Sequence, residues 1–427
     1  MVFSLIVDDT ECRYDEGMSH SPVPGERVAG YDVSARLDTD YYEVFADVTG
    51  EDRDVWNRAK AFVDEVLPRM DGLWDRGEYD VGLARRMGEL DLFTDGLVHE
   101  GLGYSSPLAA GLVNMEISRG DGSLGTILAV QGGLALRSVA LFGSDAQKEQ
   151  WLRPIARGDV LAAFALTEPD HGSDSVSLET EARREGEEWI LNGAKKWIGN
   201  GSSGGLTVVW ARVSDPADPD HDGTVRGFLV PQESAGYEGR PILGKASLRA
   251  IHQAHIRLTD VRVPRDAVLP GTHTFTDAST VLYATRSGVA WSALGHATAC
   301  YEAALAYAQQ RTQFGKPLAK FQMVQERLTQ MLDELTAMQL YCRHLADLET
   351  GGGLRPTQAS LAKYHNTRAA RRIASVARDL LGGNGILLEN RVMQHMADIE
   401  AIHTYEGTES IQALLIGRDI TGHSAFA

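Results

Sequence analysis

The sequence predicts an α+β protein whose elements run helical, β, helical. Three observations carry this. From Glu51, residues Trp56, Ala59, Phe62, Val63, Val66 and Leu67 recur at spacings of three and four, the period of a helix with one buried face. Around residue 161 the period gives way to short apolar runs bounded by turn residues. From Ser287 the helical period returns, and Val324, Leu328, Met331, Leu332, Leu335, Met338, Cys342 and Leu345 form one apolar stripe.

Each element follows in order. Residues 1–45 are polar, carry Pro22 and Pro24, and read as an irregular arm or tail. Helical segments follow at 80–92, 107–118, 122–138 and 146–157, with Gly101–Ser106 as a loop among them. Leu161–Leu166, Trp189–Leu191, Leu206–Ala211, Val225–Val230, Ala254–Leu258 and Val261–Val263 read as strands. Asn192-Gly193 carries a strong hairpin signal. These short strands predict a barrel or sandwich. The stripe on 324–345 starts after Pro317 and ends at Gly351, and a second long helix runs from Thr357 to Leu381. Long helices with short connections predict a bundle. The expected divisions are an arm over 1–45, a helical domain over 46–160, a β-barrel domain over 161–275 and a helical domain over 276–427.

Composition narrows the function. Apolar residues make up 43% and charged residues 23% of the 427, an ordinary globular balance. The formal net charge of -18 argues against a nucleic-acid binder, which needs a basic face for phosphates. Cys12, Cys300 and Cys342 are widely spaced and form no Cys/His cluster, so they read as reduced thiols and no metal is expected. No uninterrupted apolar run approaches the length of a membrane span, and the N-terminus lacks a basic n-region. The expectation is a cytoplasmic protein without an integral membrane segment.

Five stretches carry candidate chemistry. Tyr405-Glu-Gly-Thr-Glu409 sets a carboxylate on a turn where Gly407 frees the backbone and Thr408 is placed to cap a following helix. In a dry pocket such a carboxyl has a raised pKa and serves as a general base; on a wet loop it does nothing. Leu166-Thr-Glu-Pro-Asp-His-Gly-Ser-Asp174 is a strand end and a turn dense with donors, which suits an anion or a heterocycle and equally suits an ordinary turn. Trp197, in Lys195-Lys-Trp-Ile-Gly-Asn200, is either a stacking platform for a planar ring or a core residue. Arg311-Thr-Gln-Phe-Gly315, with Gln322 beyond it, offers a fork-shaped cation for a pyrophosphate or a plain helix C-cap. Leu381-Gly-Gly-Asn-Gly385 lets a backbone approach a ligand closely, although no preceding strand supports a dinucleotide fold.

Together these motifs occur in the order and approximate spacing of the acyl-CoA dehydrogenase family, which the chain resembles over residues 50–427. Within that family it looks closest to the glutaryl-CoA dehydrogenase and short-chain acyl-CoA oxidase branch, through Val209-Trp-Ala-Arg212, Lys245-x-Ser-Leu-Arg249 and Ile420-Thr-Gly422. The resemblance implies an acyl-CoA dehydrogenase-like fold with a middle β-barrel and a C-terminal four-helix bundle, bound FAD, a homotetramer, a role in fatty acid metabolism and electron-transferring flavoprotein as acceptor. By the same resemblance, Leu166, Thr167 and Trp197 face the isoalloxazine, Ser173 the pyrophosphate, and Ile198 and Gly199 also bind the cofactor. Arg311, Phe314, Gln322, Leu381, Gly382, Gly383 and Gly385 hold the FAD of a neighbouring subunit, while Thr408 and Glu409 lie near their own. Glu406 matches the catalytic base; Gly125, Ser173, Arg286, Tyr405 and Gly407 match the acyl-CoA site.

The implied chemistry is α,β-dehydrogenation. Glu406 takes the α proton of the thioester while the β hydrogen leaves as hydride to flavin N5. The Glu406 N–H and a flavin ribityl hydroxyl stabilise the enolate-like transition state. Two departures matter. The family usually has Thr or Ser where this chain has Gly199, which puts the electron acceptor in question between dehydrogenase and O₂-using oxidase. Glutaryl-specific members carry an arginine six residues after the arginine of an R-x-D motif; here Arg119-Gly-Asp121 is followed by Gly125. Without that guanidinium, burying a distal carboxylate is costly, so a neutral short or branched acyl group is expected rather than glutaryl. The remaining alternative is a non-catalytic subunit that binds CoA or flavin, against which the intact Glu406 argues.

Overall fold

The computed structural model describes residues 31–93, 97, 102 and 105–426. Residues 1–30 of the arm expected over 1–45, Cys12 among them, and half of the loop expected at Gly101–Ser106 fall outside these residues. From residue 31 to Thr49 the chain forms turns, yet it is packed rather than loose: Val33, Phe45 and Val48 are buried against the C-terminal helices.

The N-terminal helices are α1 (Gly50–Arg76), α2 (Gly82–Glu89), α3 (Pro107–Gly120), α4 (Gly122–Leu128), a π-helical stretch (Ala129–Leu136), α5 (Arg137–Phe142) and α6 (Asp145–Ala156). The run 122–142 has the length and apolar composition of a membrane span, but it is mostly buried inside the protein as a core helix. Asp121 caps α4 by accepting from the Ser123 and Leu124 N–H groups at 2.7 and 3.1 Å. Arg119 pairs with Glu302 at 2.6 Å in a buried ion pair. The R-x-D motif is thus an anchor between helices.

Strands β1 (Ala162–Ala165), β2 (Glu181–Glu185), β3 (Glu188–Gly199), β4 (Leu206–Ser214), β5 (Val225–Pro231), β6 (Tyr237–Pro241) and β7 (Gln253–Pro264) follow. They form one seven-stranded sheet ordered β1-β4-β2-β3-β7-β6, with β5 on β4. The barrel-or-sandwich expectation resolves to a single curled sheet with β5 and β6 at its ends. Alternation divides its two faces. Ala163, Ala165, Val209 and Ala211 pack inside the curl, while Ala162, Phe164, Val208 and Trp210 pack on the helical side with Leu136, Val139 and Leu152. The hairpin turn lies at Gly186-Glu187, between β2 and β3, and not at Asn192-Gly193. Those two residues sit inside β3 at a register shift, where the Asn192 side chain bonds Asp260 across the ladder at 3.1 Å.

The C-terminal helices are α7 (Phe275–Gln310), α8 (Gln322–Thr350), α9 (Pro356–Leu380), α10 (Val392–Thr404) and α11 (Glu409–Thr421). Helices α7 to α10 share one core, and α11 lies against α9. Asp398 of α10 ties this unit to the others: it accepts from Trp74 Nε1 of α1 at 3.0 Å and from the Leu248 N–H at 2.6 Å. Leu248 belongs to the Lys245–Arg249 loop, so one buried carboxyl holds three parts of the chain in register. Asp398 lies two turns before Glu406.

Candidate active site

The turn between α10 and α11 carries Glu406, and its backbone is strained. Glu406 has φ 55° and Gly407 φ 82°, two successive left-handed residues. A Cβ on Gly407 would lie 2.5 Å from Gln412 Nε2, so conformation and space both require glycine. Thr408 caps α11, accepting from the Ile411 N–H at 3.3 Å. The Thr285 hydroxyl of α7 donates to Glu406 Oε1 at 2.6 Å and fixes the carboxylate. Arg286, the next residue, is buried and donates to Ser360 Oγ at 3.1 Å. Its Nε has no hydrogen-bond partner among the described residues. Burial lowers the Arg286 pKa, and the Glu406 charge opposes that shift.

Three carbonyls of this turn converge on one cation. Lys363 of α9, 1% exposed, donates to the carbonyls of Tyr405, Glu406 and Gly407. Gln412 adds bonds to the Glu406 and Gly407 carbonyls at 3.2 and 2.9 Å. Tyr405 points toward α4 and α7: burial raises its phenol pKa, and hydrogen bonds with Thr126 and Ser292 oppose the rise. Ser292 accepts from Ser118 Oγ at 2.9 Å. Gly125 lies buried under this hydroxyl cluster, where a Cβ would come 2.4 Å from Ser118 Oγ. A side chain at 125 therefore has no room while Ser118 stands where it does.

The sheet presents a second group. Trp197 has φ 66° and is 54% exposed, which excludes the core reading of this ring. Ile198 and Leu166 beside it are buried. The Thr167 carbonyl accepts from the Lys196 N–H at 2.9 Å, which joins the turn after β1 to the end of β3. Beneath it, fully buried Lys195 donates to the Leu166 carbonyl at 3.0 Å and pairs with Glu168 at 2.9 Å. Ser173 is exposed on the connection to β2, and among the described residues no hydrogen bond ties it to Glu406 or Arg286. Gly199 is buried against the π-helical stretch, where a Cβ would lie 2.9 Å from Val130 Cγ2.

The third group sits at the far end of the bundle. Arg311 ends α7 and donates to the Tyr31 hydroxyl at 2.7 Å. A short hairpin over 312–317 lifts Phe314 out to 93% exposure, and Gln322 is exposed at the start of α8. Leu381 is buried, while a Cβ on Gly382 or Gly383 would meet nothing within 4 Å. Gly385 packs on Arg378, and Asn384 bonds the Tyr307 hydroxyl of α7 at 2.9 Å, so the glycine loop and the Arg311 hairpin share one end of the bundle. Glu409 pairs with Arg368 at 2.8 Å and with His403 at 3.0 Å.

Thr285, Lys363 and Gln412 lie outside the motifs, while Glu168 and Lys195 lie within two of them and pair with each other. Lys363 did leave a signal: it lies on the buried stripe of α9 with Ala359, Ala362 and Ala370, a face where a lysine is out of place.

Comparison with known proteins gives one result across the chain. Family models described as acyl-CoA dehydrogenase N-terminal, middle and C-terminal domains match residues 49–159, 163–261 and 275–421. Short-chain specific acyl-CoA dehydrogenase of Rattus norvegicus is 36% identical, over 82% of this chain and 85% of that protein. Glutaryl-CoA dehydrogenase of Mycobacterium smegmatis superposes with a TM-score of 0.88 at 38% identity, covering 92% of this chain and all of that one. A structure of a glutaryl-CoA dehydrogenase from Mycobacterium smegmatis in complex with FADH2 gives a TM-score of 0.86 at 36% identity, covering 91% of this chain and 98% of that one. Butyryl-CoA dehydrogenase of Megasphaera elsdenii gives 0.82 at 28% identity, covering 88% of this chain and 99% of that chain.

Proposed function

This chain belongs to the acyl-CoA dehydrogenase family of FAD-dependent oxidoreductases, and from that premise we propose that it α,β-dehydrogenates a neutral short or branched acyl-CoA with Glu406 as the α-proton base. The residues present fit FAD: an exposed ring at Trp197, an exposed ring and a guanidinium at Phe314 and Arg311, and an open glycine cradle at 382–383. Bound FAD supplies the acceptor that takes the β hydrogen as hydride. Glu406 holds the α proton. Its carboxylate is aimed by the Thr285 hydroxyl at 2.6 Å, and this bond is the observation that carries the reading. The Glu406 N–H donates to the thioester oxygen, where negative charge builds in the transition state. The unpartnered Arg286 Nε is a buried donor that an incoming polar group would satisfy.

The acyl group follows from Gly125. A glycine at 125 brings no guanidinium to a distal carboxylate, and burying that charge without one from this position is costly. The Mycobacterium enzyme's name points the other way, so the substrate is a decisive test. Anaerobic titration of the FAD-loaded protein with butyryl-, isobutyryl- and glutaryl-CoA, followed at the flavin band, separates the two. Bleaching by the neutral thioesters and not by glutaryl-CoA is expected. Equal bleaching by glutaryl-CoA would overturn the neutral-acyl reading.

A second reading is favoured by Gly199. No hydroxyl can reach the flavin from that position, so electrons could pass to O₂ as in an oxidase. Peroxide release without an added acceptor tests it. Under the main reading the acceptor is electron-transferring flavoprotein, and the chain works as a homotetramer whose neighbouring subunits cover Phe314.

A further inference from the structure

We propose that Lys363 is a positioning residue that strengthens the Glu406 N–H as donor to the thioester oxygen, acting through the carbonyl of Tyr405. This rests on the reading of Glu406 as the base. In a planar trans peptide the carbonyl and the next N–H point in opposite directions. The Tyr405 carbonyl faces the Lys363 ammonium, so the N–H of the same peptide unit, that of Glu406, is directed away from it. The next unit repeats the arrangement: the Glu406 carbonyl accepts from Lys363 at 3.1 Å, and the Gly407 N–H faces the opposite side. The left-handed pair at 406 and 407 brings three carbonyls onto one cation. Three acceptors use all three N–H groups of an ammonium, which favours the charged form. Burial lowers the Lys363 pKa, and Glu406 opposes the shift.

Charge on a carbonyl oxygen polarises its peptide unit, and hydrogen bonds in a chain reinforce one another where the dielectric is low. Lys363 thereby makes the Glu406 amide a better donor at the point where enolate charge develops. Gln412 supports the carbonyls of Glu406 and Gly407 but not that of Tyr405. The unit bearing the donor N–H depends on the lysine.

The test uses the full FAD-loaded chain with Lys363→Met, Lys363→Gln and Glu406→Gln. The probe is 3-thiabutyryl-CoA, whose β sulfur blocks oxidation while its α C–H remains acidic. Its enolate absorbs at long wavelength beside the flavin, and its α deuterium washes out into water. Removing an oxyanion donor outright costs about a hundredfold to a thousandfold, so weakening one should cost about tenfold to a hundredfold. Lys363→Met should lower kcat and α-deuterium wash-out together by that factor, keep KM within about threefold, and lose the enolate band. Lys363→Gln, a donor without charge, should fall between Met and wild type. A folded Lys363→Met protein with the wild-type band and wash-out overturns the proposal. If Met does not fold, a wild-type band in Lys363→Gln overturns it. Failure of both variants to fold also overturns it, since the turn has Gln412 and Thr285 to hold it. A fully active Glu406→Gln variant would instead sink the assignment of the base.

Discussion

The Tyr405–Gly407 turn and the Arg311–Gly385 end of the bundle are built on opposite plans. Around the turn every carbonyl has a donor from the same chain: Lys363 reaches three and Gln412 two of them. The strain at Glu406 and Gly407 is held by that overdetermined setting. At the bundle end, Phe314 stands 93% exposed and the glycines at 382 and 383 look onto open space. Burying a phenylalanine contributes about 1.5–3 kcal/mol. A single chain leaves most of that ungained. Under the proposed function, the difference separates the residues of the proton chemistry, held within one chain, from exposed residues that would complete a cofactor site between chains.

The comparison breaks most sharply at Gly407. Gly407→Ala forces a Cβ against Gln412 Nε2 at 2.5 Å in a left-handed residue. We expect a stability loss of about 1–3 kcal/mol in thermal unfolding and a fall in turnover of at least about a hundredfold. Near-normal turnover would mean the turn is not rigidly set. At the other end, the double variant Arg311→Ala, Phe314→Ala should leave the fold of each chain intact and act on what lies between chains. FAD retained after gel filtration should drop about tenfold or more, with smaller assemblies in light scattering. Unchanged FAD content and mass would show that this surface is not part of the cofactor site.

The two regions also differed in how openly the sequence announced them. Tyr405-Glu-Gly-Thr408 reads as a turn, and α8 showed its buried face through period alone. What was hidden shares a cause: residue chemistry that serves two environments. Asn192-Gly193 suits a hairpin and equally a bulge within β3. Strand β2, Glu-Ala-Arg-Arg-Glu, buries only Ala182 and looks like a charged loop. Lys363 and Lys195 look like surface cations until packing shows each against buried acceptors. A cation held by carbonyls distant in sequence leaves no local motif.

The smallest expected effect lies outside both regions, at Gly199 in strand β3. This glycine is buried against Val130 of the π-helical stretch, in the segment the family resemblance sets beside the flavin. Gly199→Ser alone puts its Cβ 2.9 Å from Val130 Cγ2, an overpacking that costs about 1–3 kcal/mol. Adding Val130→Ala makes room for the hydroxyl. If the missing hydroxyl is what opens this site to O₂, the double variant should release severalfold less peroxide per thioester oxidised than wild type. Turnover with an artificial acceptor should change far less. The single Val130→Ala variant separates hydroxyl from space: a fall in peroxide seen only with serine present assigns the effect to the hydroxyl. An equal fall with Val130→Ala alone assigns it to packing around the flavin face, and Gly199 would then be a steric partner of the helix rather than a determinant of the acceptor.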